Sequence, residues 1–477
     1  MEYIQLTPHR DYESCMEWKA CMHERFMHGL LPRFTCVARG LSRNVLIRRA
    51  NGGSTYHYSY PSRLCCSLAV PDLTSRSSFC RCSMYIGRGA GWVWRYGQDG
   101  RVSSLSMSVA NEELPTFFSW NGLSTRDAEV CLAFAAERYS DSVLKSVRYQ
   151  GGCSWTLIAR PLNGAVNYRT GNDVLYEWTI VQFRLEKHAI PIDIAIAASR
   201  IYSPLAPETR ELGRLAVSHG MHLQAVAMSC LPGKRFSEVQ PRKPDLDQPT
   251  LERYRILLQC LSTFFAKSWH SGCRYRPALS GCTGKVGKSI LSRFENLGRY
   301  LPSLALRQKA REVREAVEDG GLDPLPVCLT HGDLLPSNLL VDETSWQIKG
   351  YIDWAEAEYL SCGTCLYGLE HLLGYLEQDD KGGRPRFVYY DQADKLRETF
   401  WKSYEQQVPE IEDLVVRKSL TLGRDVGILL WKGFGWDDGS IDRVVNPIDD
   451  AEELACLQAF LGLESKAARH DSFIESV

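Results

Sequence analysis

The chain lacks any run of 18 or more apolar residues, so it offers no stretch long enough for a membrane-crossing helix. It also lacks charge of one sign. Its 56 basic and 57 acidic residues leave a net charge of -1, which argues against a partner drawn by the field of the whole protein, such as nucleic acid, except through a local patch. The opening residues carry Asp11, Glu13 and Glu17 among scattered apolar ones and lack the basic-then-apolar order of a secretory signal. A soluble, cytoplasmic protein is the expectation. Cysteine, by contrast, is abundant, but 17 is an odd number in a long chain without a secretory signal, which speaks against a disulfide framework. Cys65-Cys66 and Cys80-x-Cys82 lack zinc-site spacing, and Cys362-x-x-Cys365 has no second pair or histidine at finger-like distance, so free thiols are expected.

What is present is an ordinary globular composition, 44% hydrophobic and 24% charged over 477 residues, enough for two or three domains. It is unevenly distributed. Residues 1–111 hold 13 arginines and one lysine against seven acidic residues, with seven of the cysteines and no lasting helical or strand period. They read as a basic, poorly ordered extension, and any contact with nucleic acid is expected only there. Two lobes are expected after it, residues 112–231 and residues 232–477.

The most telling stretch is His331-Gly332-Asp333, then Asn338 and, past a short hairpin, Ile352-Asp353-Trp354. Leu339–Val341 is a short apolar run, Asp342–Ser345 is turn-like, and Trp346–Ile352 mixes β-branched and aromatic residues. In an antiparallel pair Asn338 and Asp353 reach the same edge, with Asp333 on the loop just before. Asp342 is expected to cap the turn and His331 to brace the loop from a buried position. Phosphoryl transfer needs an acceptor hydroxyl held in place and phosphate charge neutralised, and this set suits both needs. Asp333 is the candidate catalytic base. Asn338 and Asp353 are the candidate Mg2+ ligands.

The interval between Asp333 and Asn338 is that of the protein-kinase catalytic loop, but Gly332 stands where that loop has arginine, and Asp353-Trp354-Ala355 where it has Asp-Phe-Gly. With its surroundings, HGDLLPSNLLVD and IDWAEAEY, the stretch resembles the aminoglycoside phosphotransferase and choline kinase-like family, in particular fungal-type members. That resemblance spans roughly residues 124–465. It implies an α+β, two-lobed protein-kinase-like fold with a small β-rich N-lobe and a larger helical C-lobe, ATP and Mg2+ as cofactors, and a small hydroxylated molecule as acceptor.

The rest of the chain is then read against that order. Ser124 to Asp127 looks like a capping box opening a helix to about Tyr139. Gly151 and Gly152, between strands near 147–150 and 155–159, form the candidate phosphate loop. On the strand expected at Tyr176–Arg184, where kinases carry a phosphate-binding lysine, there is none. Trp178, Ile180, Gln182 and Arg184 share a face, and Arg184 is its only cation, with Gln182 as the competing alignment. A helix expected over 207–218 offers Glu208 or Glu211 as the partner of Arg184. Val226–Leu231 resembles the hinge between lobes, where backbone groups of Met228 and Cys230 would meet adenine. A linker over 234–250 leads to a helix capped by Thr250, then helices near 286–299, 305–319, 364–377, 390–405, 413–434 and 449–462. Glu356 and Glu358, just behind Asp353, are either attractors of an amine-bearing acceptor or structural. The expected activity is transfer of the γ-phosphate of ATP to a small-molecule hydroxyl. The missing lysine keeps a second reading open, a catalytically weak nucleotide-binding pseudokinase.

Overall fold

The structure is a computed structural model that describes residues 116–463, apart from 148–149, 163–165, 169–173, 177, 379–383 and 438–439. It also gives the backbone of three strands nearer the start, Phe34–Val37, Asn44–Arg49 and Thr55–Ser59, which form an antiparallel sheet. These strands lie in a unit of their own, Met1–Gly89, separate from the unit Ala90–Val477. The expectation of a poorly ordered extension over 1–111 otherwise lies outside the described residues.

The second unit has two hydrophobic cores. The smaller belongs to a five-stranded antiparallel sheet of β1 (Ser142–Ser146), β2 (Ser154–Pro161), β3 (Thr179–Leu185), β4 (Thr209–Ala216) and β5 (His222–Ser229), in the order β1-β2-β3-β5-β4. Period-two alternation decides its faces: Val181 and Phe183 of β3 are fully buried and pack against Trp155, whereas Gln182 and Arg184 face the other way. Helix α1 (Thr125–Arg138) covers the buried face.

The capping box that opens α1 also ties it to the sheet. Asp127 accepts hydrogen bonds from the Ser124 amide and hydroxyl, both at 2.7 Å, and from the Ser218 amide and hydroxyl at 2.8 and 2.9 Å in the β4–β5 turn. Burial alone would raise its pKa, but these bonds together pull it down to about 2. Asp127→Ala is therefore expected to lower stability by about 2–3 kcal/mol, the loss of a cap plus a distant tie, read from urea unfolding at neutral pH. The carboxylate's contribution is complete above its ordinary value of 3.8 and fades as pH falls toward 2, so the variant's deficit should shrink in acid.

Helix α2 (Ile192–Ile201) separates β3 from β4. Here two expectations fail: 207–218 is not a helix but strand β4, and the helix lies earlier, in an Ile- and Ala-rich stretch opened by Pro191. Pairing with β5 along the whole of β4 outweighs the helical promise of Glu208 and Glu211. The hinge follows β5, and Gly233, at φ 111°, passes so close to the strand Leu339–Val341 that a Cβ would lie 2.9 Å from the Val341 carbonyl oxygen.

The larger core belongs to helices α3 (Gln248–Ser271), α4 (Ile290–Tyr300) and α5 (Leu304–Glu318), strands β6 (Val327–Thr330), β7 (Leu339–Val341), β8 (Ile348–Tyr351) and β9 (Glu358–Ser361), and helices α6 (Ala393–Gln407), α7 (Leu414–Lys432) and α8 (Ala451–Phe460). The cap of α3 is Asp247, whose side chain accepts from the Thr250 amide, and not Thr250 itself. The stretch expected to be helical over 364–377 holds only a short helix, Tyr367–Leu372, before the chain turns into a hairpin strand, Gly374–Glu377. A β-rich lobe, a hinge and a helical lobe carrying the β7–β8 hairpin make up the α+β, two-lobed architecture anticipated above. Among the described residues no helix is long and apolar enough to cross a membrane.

Candidate active site

The candidate catalytic loop runs from β6 to β7, and its shape is set by Gly332. That residue sits at φ 76°, and a Cβ on it would lie 1.9 Å from the carbonyl oxygen of Glu356. No side chain fits, so the arginine of the protein-kinase loop has no place here. The backbone on either side of Asp333 is pinned by the phenol of Tyr367, which donates to the Gly332 carbonyl at 2.9 Å and accepts from the Leu334 amide at 3.1 Å.

His331 braces the same loop. It is fully buried, its ring lies against Trp354 with centroids 4.5 Å apart at a tilt of 46°, and burial, working against the pull of Asp353 and of the Ile352 carbonyl, holds its pKa down to about 4. The ring is thus neutral. Its Nδ1 accepts from the Asp333 amide, so its Nε2 carries the proton donated to the Ile352 carbonyl at 3.0 Å. This one imidazole joins the residue carrying the candidate base to the residue before the candidate metal ligand. Trp354 is held in turn by its indole N–H, which donates to the Tyr351 carbonyl at 2.8 Å, and by the ring of Tyr202 at 5.0 Å.

The hairpin pairs Leu339 with Tyr351, and the Ile352 amide donates to the Asn338 carbonyl at 2.9 Å, so Asn338 and Asp353 stand at one edge as the spacing implied. Asn338 uses Nδ2 to donate to the Asp333 carboxylate at 2.7 Å and to the Asp333 carbonyl at 2.9 Å. Its Oδ1 is then the atom open to a cation. Asp353 adopts φ 65°, a left-handed conformation that aspartate tolerates better than most residues and that recurs at functional sites. Enclosure and then the charge of Asp353 push the Asp333 carboxyl up to about 7, although Lys432 and Asn338 pull it back. Crowded carboxylates of this kind are what a divalent cation relieves. Among the described residues no three His, Cys, Asp or Glu side chains form a group that could hold a metal ion.

Arg184 enters the site from the other lobe. Its side chain is buried, its Nε donates to the His188 carbonyl at 2.7 Å, its Nη1 donates to Gln182 at 3.1 Å, and Nη1 lies 4.0 Å from the Asp353 carboxylate. Only the forked guanidinium can hold the connection after β3 and reach Asp353 together, which accounts for an arginine at this position. Ser154, two residues after the glycine turn, pairs with Arg184 in the sheet and brings Gly151 and Gly152 beside it. Neither glycine is required by the fold: a Cβ on Gly151 would meet nothing within 4 Å, and one on Gly152 would make only ordinary contact with Trp120.

Glu208 does not join this group. It is exposed at the start of β4, with its amide on the Ser229 hydroxyl at 2.9 Å and its carbonyl on the Ser229 amide at 2.9 Å. The sheet places it opposite Ser229, beyond the Thr209–Met228 pair, whereas Arg184 pairs with Gln224, five residues along β5 and so about 17 Å away. Met228 is half-buried at the hinge. The Cys230 amide already donates to the Trp178 carbonyl at 3.0 Å and so is not open to a ligand. Glu358 is structural, its carboxylate gripped by the amides of Lys285, Val286 and Gly287 at 2.6 to 3.0 Å. Sequence reasoning missed Tyr367 and Lys432, which lie far from Asp333 in the chain and carry no local signal.

Residues 192–360, from α2 to β9, match the model of the phosphotransferase enzyme family. No curated protein is a significant match. Among solved structures the chain is similar to a thermostable mutant of aminoglycoside phosphotransferase APH(4)-Ia in a ternary complex with AMP-PNP and hygromycin B, at 13% identity and a TM-score of 0.40, covering 70% of this chain and 98% of that one. A macrolide 2'-phosphotransferase of type I is similar at 14% identity and 0.40, covering 72% and 98%. A choline/ethanolamine kinase family protein from Mesorhizobium loti is similar at 17% identity and 0.35, covering 65% and 93%.

Proposed function

We propose that this chain is a phosphotransferase that moves the γ-phosphoryl group of ATP to a hydroxyl of a small molecule. The observation that carries the reading is the Asp333–Asn338 hydrogen bond at 2.7 Å beside Asp353, facing a buried arginine from the opposite lobe. Asp333 accepts the proton of the acceptor hydroxyl and orients its lone pair. Asn338 and Asp353 would hold Mg2+, which when bound neutralises charge on the phosphates. Arg184 offers a positive charge to the same phosphates, and the glycine turn leaves room for them to approach the backbone. Met228 and the Cys230 carbonyl would border adenine.

A second reading keeps the nucleotide and drops the chemistry. Arg184 is committed to Gln182 and to the His188 carbonyl, and no glutamate of α2 backs it, because that helix contains none. A pseudokinase would bind ATP without transferring it.

Thermal unfolding of the full chain with millimolar ATP, with and without Mg2+, tests the common premise. A Mg2+-dependent rise in Tm is expected, worth about 2.7 kcal/mol at a hundredfold excess over Kd. No rise at any metal or nucleotide concentration would remove both readings.

A further inference from the structure

Arg184 is a buried cation, and the acid that answers it lies across the cleft. Its guanidinium spends Nε on the His188 carbonyl at 2.7 Å and Nη1 on the Gln182 side chain at 3.1 Å, two neutral acceptors that satisfy hydrogen bonds but do not balance the charge. The charge is met by Asp353, whose carboxylate stands 4.0 Å from Nη1. Acids of the neighbouring elements stand elsewhere. Glu186 and Glu211 face Arg214 at 2.6 and 3.9 Å, Glu208 sits at the hinge end of β4, and Asp193, the one acid of α2, is exposed. Glu356, three residues after Asp353, is also drawn by Arg184, but the ion pair within 4.0 Å is with Asp353.

Asp353 therefore has two claims on it. The same carboxylate is the candidate ligand for Mg2+, and its side chain is 51% exposed, whereas that of Arg184 is 6% exposed. Arg184 has little room to retreat. The His188 carbonyl, between β3 and α2, holds Nε, and Gln182 holds Nη1 while its own Nε2 donates to the Thr156 hydroxyl at 3.1 Å. A divalent cation arriving at Asp353 without phosphate meets a fixed positive charge beside its ligand. At 4.0 Å even two fully hydrated unit charges interact strongly enough to change an affinity by a factor of about five.

We propose that Arg184 is the resting counter-ion of Asp353, so that the metal site is closed to a lone divalent cation and opens when the phosphates of a nucleotide take over the guanidinium. Nucleotide then enters before the metal or together with it. The proposal rests on the phosphotransferase reading, in which Asp353 is a metal ligand and Arg184 a phosphate contact. By linkage, whatever the nucleotide adds to the affinity for metal, the metal adds to the affinity for nucleotide.

The test is Mn2+ binding to the full-length chain without nucleotide, followed by the electron paramagnetic resonance signal of the free ion. Wild type is compared with Arg184→Met, Arg184→Gln and Lys285→Met, each first shown by its melting curve to fold. Arg184→Gln keeps a donor for the His188 carbonyl and stands in if Arg184→Met does not fold. Adding Asp353→Asn to each protein reports how much of the binding is at Asp353. Both Arg184 variants are expected to bind Mn2+ about fivefold or more tighter than wild type, a gain that disappears when Asp353→Asn is added. Lys285→Met removes a cation that pairs with Asp442 at 2.8 Å and should change the affinity by less than about twofold. An affinity in a folded Arg184 variant equal to or below that of wild type, or an equal gain in Lys285→Met, overturns the proposal while the phosphotransferase reading stands. Mn2+ that fails to bind at Asp353 in every one of these proteins, even with ATP present, removes the metal-ligand role of Asp353, the phosphotransferase reading built on it, and this proposal with them.

Discussion

Asp333→Ala is expected to retain the Mg2+-dependent stabilisation by ATP and to lose turnover by a factor of 100 or more. The reason lies in where the carboxylate stands: it accepts from the Asn338 amide group at 2.7 Å, and in the proposed mechanism it would receive the acceptor's proton while Asn338 and Asp353 would hold the metal. Removing a positioned base takes away an interaction made in the transition state and leaves ground-state binding of nucleotide largely intact. Asp353→Ala should do the opposite, abolishing the metal-dependent shift before any question of chemistry arises, and leaving the Arg184 guanidinium without its carboxylate neighbour. Isothermal titration of MgATP with both variants, alongside acceptor-dependent ADP release, separates the two roles. Equal loss of nucleotide binding in both variants would contradict the assignment of Asp333 as base and Asp353 as metal ligand. Unchanged turnover in Asp333→Ala would leave the pseudokinase reading in possession.

The second large effect concerns a residue with no side chain. Gly332→Ala places a Cβ 1.9 Å from the Glu356 carbonyl oxygen and 2.5 Å from its carbonyl carbon, at a backbone angle of 76° that alanine disfavours. The neighbour is backbone of the segment that carries Asp353, so relief of the clash must move the two loops apart. The combined cost is expected to be about 3 kcal/mol or more, with activity lost because the Asp333–Asp353 geometry is lost. Gly151→Ala is the matched control: its Cβ meets nothing within 4 Å, φ is unexceptional, and stability should change by less than about 0.5 kcal/mol. Urea unfolding of the two variants gives the comparison. A Gly332→Ala protein as stable as Gly151→Ala would show that the two loops are not pressed together as described.

The two glycine sites also show how differently sequence and structure speak. Gly332 is forced by its surroundings, yet in the sequence it is only a departure from the protein-kinase pattern. Gly151 and Gly152 look like a phosphate loop in the sequence, but in the folded chain nothing internal requires them. What justifies them is the approach of something from outside, which is a functional argument and not a packing one.

Expectations about the N-lobe fared unevenly for an identifiable reason. The capping box at Ser124–Asp127 was legible because its hydrogen bonds close within four residues. Segment 207–218 was not. Its residues carry a helix-like start, and the partner that makes it a strand is β5, a separate segment of chain. Glu208 was consequently assigned to Arg184, and the sheet puts it at the hinge end instead. The Ile-rich α2 was missed because β-branched residues weaken local helical preference, while contacts of Tyr202 at its end with Leu329 and Trp354 reward the helix from across the lobe boundary.

By itself the sequence determined that Asp333, Asn338 and Asp353 gather at one edge of a hairpin, the Asp342 turn, whose carboxylate accepts from the amides of Thr344 and Ser345, and the buried position of His331. All of these depend on residues within one short stretch, where spacing along a β-hairpin translates directly into position in space. Only the tertiary structure decided that Arg184 reaches Asp353, that Tyr367 pins the loop around Asp333 and that Glu358 is consumed by the amides of 285–287. Each of those contacts joins segments far apart in the chain, so each is fixed by how whole helices and sheets pack, which no local periodicity records.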